Sequence, residues 1–228
     1  MYKIKKFNLA RNALYFFIQE FNIKELYIPY YLCDVVRHTL FNAGCNIKFY
    51  HINDSFFPER KFNKNDFILY PNYFGVFRDN VEKLVSYYPN IIIDNAHAYY
   101  EKPLGLACFN AGHKFGHKDS ILWYGNSAVT NNLNYAENDN AKKLYKKFVE
   151  LHKIYSPTNQ LNINIEKITS PFVYPYLAES TQMADILVNK LTKEGKIIYR
   201  YWNNLPKSFN EYKFYSRLVP IPLIEAVD

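Results

Sequence analysis

Ile91-Ile92-Ile93-Asp94-Asn95-Ala96-His97 is the stretch whose reading decides the fold. Three consecutive β-branched residues closed by an acid read as a short strand buried on both faces, as in a parallel sheet covered by helices. In such sheets functional side chains collect at the carboxyl ends of the strands, which is where Asp94 stands. One strand further on, Phe109-Asn110-Ala111-Gly112-His113-Lys114-Phe115 carries a lysine. An acid, then His97, then Lys114 is an order that suits a cofactor with a pyridine ring and an aldehyde. The carboxylate keeps the ring nitrogen protonated, and the amine carries the aldehyde as a Schiff base.

Working outward, apolar residues recur at helical spacing from Asn8 to Phe21, with Asn8 as N-cap. Strands are predicted over 25–30, 45–51, 67–70, 91–94, 104–109 and 120–124, and helices over 31–42, ended by Gly44, and 79–88. Alternation of this kind indicates an α/β fold: a mostly parallel sheet covered by helices. Residues 128–139 are polar and rich in asparagine, which reads as a loop, and 140–154 as a charged amphipathic helix. After Ser170 a second unit follows: strand 171–176, helix 181–194 capped by Gly195, strand 196–201. The expected division is therefore a large cofactor-binding α/β domain over 1–135, a linker helix region over 136–165, and a small C-terminal α+β domain over 166–228.

The 228 residues carry a net charge of +7, which is compatible with nucleic acid and equally with phosphate-bearing small molecules. The lysines are scattered and no nucleic-acid-binding motif accompanies them, so no nucleic-acid partner is expected. The excess of aromatics, 22 Tyr and 18 Phe, is read as genome composition rather than a stacking surface. No apolar run reaches the roughly 20 residues that span a bilayer, and no signal-peptide core follows the basic start, so a cytoplasmic protein without a membrane partner is expected. Three cysteines without CxxC spacing argue for reduced thiols. Neither GxGxxG nor GxxxxGK[ST] occurs, against a Rossmann or P-loop nucleotide site. His113, His117 and Asp119 have near-ligand spacing, but Gly112 and Gly116 weigh against a helix there, and no metal is expected.

The chain resembles the DegT/DnrJ/EryC1/StrS family, the pyridoxal phosphate (PLP) dependent sugar aminotransferases of fold type I. The resemblance is carried by Arg11-Asn12-Ala13-Leu14, Ile28-Pro29-Tyr30-Tyr31-Leu32-Cys33, Tyr70-Pro71-Asn72-Tyr73-Phe74-Gly75, Asp94-Asn95-Ala96-His97, the Lys114 segment and Ser170-Pro171-Phe172-Val173-Tyr174-Pro175. It implies PLP as cofactor, with Asp94 on the pyridine nitrogen, His97 beside the ring and Lys114 as the Schiff-base lysine. It implies that the helix start at Arg11, Asn12 and Ala13 holds the phosphate through backbone amides, as a helix N-terminus can. Cys33 stands where the family's stacking aromatic is expected, with Tyr31 or Tyr73 able to compensate, so Cys33 and Tyr73 join the cofactor-binding set. The implied reaction is transfer of an amino group from a donor such as glutamate to a keto-sugar, nucleotide-linked, by a homodimer. The alternative is a degenerate relative that keeps the fold, lacks transamination, and serves as a partner or regulatory subunit. The chain also departs from the family in being shorter between Tyr124 and Ser170, and in the residues flanking Lys114.

Overall fold

A computed structural model describes residues 2–125 and 138–223. Its main sheet has seven strands: β1 (Lys3–Phe7), β2 (Glu25–Pro29), β3 (Asn46–Tyr50), β4 (Ile68–Pro71), β5 (Ile91–Asn95), β6 (Ala107–Asn110) and β7 (Ser120–Tyr124). They lie in the order β1-β7-β6-β5-β4-β2-β3. The five from β3 to β6 run parallel, and β7 is antiparallel to both of its neighbours. Helices α1 (Ala10–Glu20), α2 (Asp34–Asn42) and α3 (Arg78–Tyr87) connect the early strands. After the sheet come α4 (Asp139–Tyr155), β8 (Val173–Leu177), α5 (Thr181–Lys193), α6 (Tyr212–Arg217) and β9 (Leu218–Pro222), with β8 and β9 pairing antiparallel.

The all-apolar strands bury both faces, and their period of two divides the interior into two cores. Ile92, Leu69, Ala107, Phe109 and Leu122 face one core, with Leu14, Phe17, Val36 and Leu40 of α1 and α2. Ile91, Ile93, Ile68, Tyr70, Cys108 and Trp123 face the other. That second core runs without a break into the C-terminal region through Phe148, Tyr174, Leu191, Phe214 and Val219. One apolar cluster thus serves the sheet and the β8–β9 unit together.

The sequence reading and the structure part in four places. The N-cap of α1 is Leu9, and Asn8 instead accepts a hydrogen bond from the Asn12 side chain at 2.6 Å. The segment 196–201 forms no strand, and Ile197 and Tyr199 are exposed to solvent; the strand that pairs with β8 is β9. β9 has no counterpart in the sequence reading, and it contains Pro220 and Pro222. A two-stranded sheet is all edge, and Pro220 sits opposite Pro175, where neither needs an N–H for the ladder. β1, an exposed strand of alternating lysines, carries too little apolar pattern to be recognised and is held by pairing along β7. The loop predicted over 128–139 lies almost wholly outside the described residues.

Candidate active site

The carboxyl ends of the parallel strands meet the starts of α1 and α2 on one edge of the sheet. Asp94, at the end of β5, is buried, and its Oδ1 accepts the Ala96 N–H at 2.8 Å. Lys114 sits in a single 3₁₀ turn, Gly112–Phe115, directly after β6. That turn is clamped between strands: Gly112 donates its N–H to Ser120 Oγ at 3.2 Å, and Asn110 Oδ1 accepts the Ile121 N–H at 2.7 Å. A Cβ on Gly112 would fall 2.0 Å from the Asp119 carbonyl oxygen, so only glycine lets the turn lie this close to β7. The Lys114 ammonium lies 5.5 Å from the centre of the Phe172 ring.

A cavity of about 260 Å³ opens between these elements, bordered by Ala10 and Arg11 of α1, Cys33 before α2, Asp94, His113 and Lys114. Its lining combines the buried Asp94 carboxyl with Arg11, His113 and the uncapped start of α1, whose first amides have no helical carbonyl to bond and whose first turn carries no acidic side chain. Asn12 and Ala13 both donate their N–H groups to the Leu9 carbonyl, at 3.0 and 3.3 Å, so the amides left over are those of Ala10 and Arg11.

Burial pushes the Asp94 carboxyl up to about 6, against the pull of the Ala96 N–H and of Lys114. Burial also lowers the Lys114 amine, opposed by Asp94 and Cys33. His113 is lowered by burial and by the neighbouring charges of Lys114 and Arg11. His97 is held well below its ordinary value, first by burial and then by Lys114, so its ring is neutral at pH 7.

The expected residues are therefore not all brought together. Asp94, Lys114, Cys33 and Arg11 line the large cavity. His97 borders a smaller one of about 30 Å³ on the far side of Asp94 and Lys114, among aromatic rings. Its ring lies 4.9 Å from that of Phe172 and 5.2 Å from that of Tyr201. Asn12 turns outward to Asn8, and Ala13 is packed in the core, because successive helical residues rotate by 100° and only Ala10, Arg11 and Leu14 of α1 border the cavity. Tyr73 is wholly buried, with its hydroxyl donating to the Tyr31 carbonyl at 2.8 Å, and Tyr31 is buried beside it. Neither can stand in for an aromatic at Cys33. Phe109 borders the large cavity, and Trp202 borders the smaller one with Cys33 and His97. Sequence reading missed Trp202 because it assigned the preceding residues to a strand. His113, His117 and Asp119 do not converge as a group of ligands among the described residues, and the His117 ring meets the Tyr100 hydroxyl at 2.8 Å.

No protein-family profile and no curated protein matches the sequence. Solved structures do match. One is a DegT DnrJ EryC1 StrS aminotransferase from Brucella abortus, at 12% identity over 96% of this chain and 80% of that one, with a TM-score of 0.70. The chain has the fold of these aminotransferases. Helicobacter pylori PseC, an aminotransferase involved in the biosynthesis of pseudoaminic acid, is similar at 14% identity over 96% of this chain and 81% of its own, TM-score 0.69. Spr1654 from Streptococcus pneumoniae in its PLP-form is similar at 14% identity over 99% and 83%, TM-score 0.69. In this chain Asp94 sits on β5 and Lys114 in the turn that follows β6, the neighbouring parallel strand, and the start of α1 borders the same cavity.

Proposed function

We propose that the protein is a PLP-dependent aminotransferase that moves an amino group from an amino-acid donor such as glutamate to a keto-sugar. One observation carries the reading: a buried acid, a half-buried lysine and a helix start with its arginine border the same 260 Å³ cavity, a set of groups that fits a phosphorylated pyridine aldehyde. The likeness in fold to a PLP-form structure supports it.

The residues present fit that cofactor. The amides of Ala10 and Arg11, with the Arg11 guanidinium and His113, would take the phosphate. Asp94 would pair with the ring nitrogen; a cation there stabilises its ionised form and offsets the desolvation that pushes it up to about 6. Ala96, small and at the cavity wall, leaves room for a flat ring. PLP, when bound, supplies an electron sink for the carbanion formed at the donor's α-carbon. Lys114 would hold the aldehyde at rest and, once released, take the α-proton as base and return it as acid. Its depressed pKa serves that role, because a larger share of the amine is neutral at working pH. Neutral His97 would stay beside the ring without adding charge.

The net positive charge favours a sugar carrying a diphosphate, and the reading extends to a cytoplasmic homodimer. The second reading, a relative that binds cofactor without turnover, is favoured by the cramped space on the far side of Lys114. Visible absorbance after PLP addition tests the proposal. Wild type should turn yellow and be fixed covalently by borohydride, Lys114→Ala should do neither, and glutamate should bleach the wild-type colour. Colour without bleaching by any amino donor supports the second reading, and a colourless wild type sinks both.

A further inference from the structure

Among the described residues, Trp202 is the one side chain with an aromatic carbocycle that lines the smaller cavity, beside the His97 imidazole. Trp202 belongs to the stretch between α5 and α6, which carries no regular helix or strand. Its backbone is left-handed, with φ +55°, an unfavourable conformation for an aromatic residue. The indole lies parallel to the His97 ring, 3° between planes and 5.9 Å between centres, and edge-on to Tyr31 at 4.6 Å. What it packs over is polar. Asn72 borders the same cavity, is 2% exposed, and its Oδ1 has no hydrogen-bond partner. The Tyr31 hydroxyl is likewise buried without one. A buried carbonyl with no partner costs about 1–3 kcal/mol, and it signals a place where a polar ligand belongs.

We propose that Trp202 is a gate over a polar substrate subsite floored by Asn72, and that it must swing away for a substrate to reach Lys114 from that side. The proposal rests on the aminotransferase reading in taking Lys114 as the group to be reached. With the gate closed, the 30 Å³ left beside Asn72, His97 and Lys114 admits a water but neither an amino acid nor a sugar. The large cavity can hold the cofactor meanwhile, since Trp202 does not border it. Besides the ring contacts of Trp202 itself, the flanking residues are tied to the rest of the chain by polar contacts near the surface: Arg200 pairs with Asp185 at 2.6 Å, and the Asn204 side chain donates to Asp34. Such contacts break at little cost, while the left-handed backbone of Trp202 relaxes on opening. The unpaired Asn72 carbonyl at the floor, an acceptor, suits a ligand with a hydroxyl group to donate.

The test uses the PLP-loaded protein and two nucleophiles of unlike size, hydroxylamine and O-benzylhydroxylamine, each of which discharges the yellow Lys114 adduct. In wild type the larger reagent should act far more slowly than the smaller. Trp202→Ala should speed the larger by about tenfold or more and the smaller by no more than about twofold. Equal rates for both reagents in wild type, or equal acceleration of both in the variant, would overturn the gate. If neither protein turns yellow with PLP, it is the cofactor reading that has failed. The gate is then read from emission in Trp123→Phe, where Trp202 is the one remaining tryptophan of two. A closed gate gives blue-shifted emission shielded from acrylamide; red-shifted emission open to acrylamide overturns it.

Discussion

Asp94 is the residue at which stability and function pull apart. Its carboxyl is 8% exposed and its principal support is the Ala96 N–H, so the folded protein without cofactor resists its ionisation. A carboxyl pushed up to about 6 from 3.8 is neutral in the folded state over a range where it is already charged in the unfolded one. Stability is therefore lost as pH rises through that window, by on the order of 3 kcal/mol once both states are ionised. Asp94→Asn lacks that penalty. Thermal melts of the cofactor-free proteins should coincide near pH 4, with the Asn variant drawing ahead between about pH 4 and 6 and keeping its lead at pH 8. An Asn variant less stable than wild type at pH 8 would show that the carboxylate has a partner strong enough to repay its burial. PLP should narrow the gap, because a protonated ring nitrogen stabilises the ionised wild-type residue and not the amide.

At the scale of elements, α1 is a helix with its N-terminus left open. Leu9 has the extended backbone of an N-cap, φ −141° and ψ 146°, but no side chain able to accept from the first turn. α5, by contrast, is capped by Ser180, whose hydroxyl accepts the Met183 N–H, and α4 by Asn138. α2 and α3 also lack a side-chain cap, but their first turns carry Asp34 and Asp79, whereas the first turn of α1 carries no acid and borders the 260 Å³ cavity. Leu9→Asp should close the helix and raise the stability of the cofactor-free protein by about 1 kcal/mol. It should also weaken binding of PLP, and of inorganic phosphate, by about tenfold or more, because a carboxylate then occupies the anion's place. Leu9→Asn, a neutral cap, should stabilise similarly with a smaller loss. Thermal-shift titrations with phosphate separate the two; undiminished phosphate binding by Leu9→Asp would place the anion site elsewhere.

For the molecule as a whole, the decisive fact is that one core joins the sheet to the C-terminal region. Phe214 of α6 is 1% exposed and stacks on Phe56, 4.3 Å away, which in turn packs against Tyr73 and Phe77. Buried Glu211, at the start of α6, accepts from the Ile52 N–H at 2.9 Å and meets the His51 ring at 3.0 Å, tying the same helix to the chain after β3. The two regions should therefore unfold together. Phe214→Ala should cost about 3–5 kcal/mol and shift a single calorimetric transition. A melt that splits in two, with the sheet unaffected, would instead show the C-terminal region to be independently stable.

Much of this was legible in the chain itself. The isoleucines of β5, the alternation of strands and helices, and the order Asp94, His97, Lys114 are local facts, and local sterics turn them into a parallel strand with an acid at its carboxyl end. They determined the layered architecture, and they named the acid and lysine that share the cavity. What lay beyond local reading depends on which surfaces meet across the fold. Asn12 and Ala13 rotate away from the cavity that Arg11 reaches, because the helix phase relative to the sheet is set by packing. Tyr73 is drawn into the core by the rings around it. β9 forms in spite of its prolines, because β8 offers it an edge. Trp202 stands at the site over 100 residues after Asp94, just past residues 196–201, which read as a strand but form none. Periodicity and turn chemistry act between near neighbours, so the chain alone determined the elements and the chemistry at their ends. The closing of aromatic surface over that chemistry follows from burial between distant segments, and only the tertiary structure decided it.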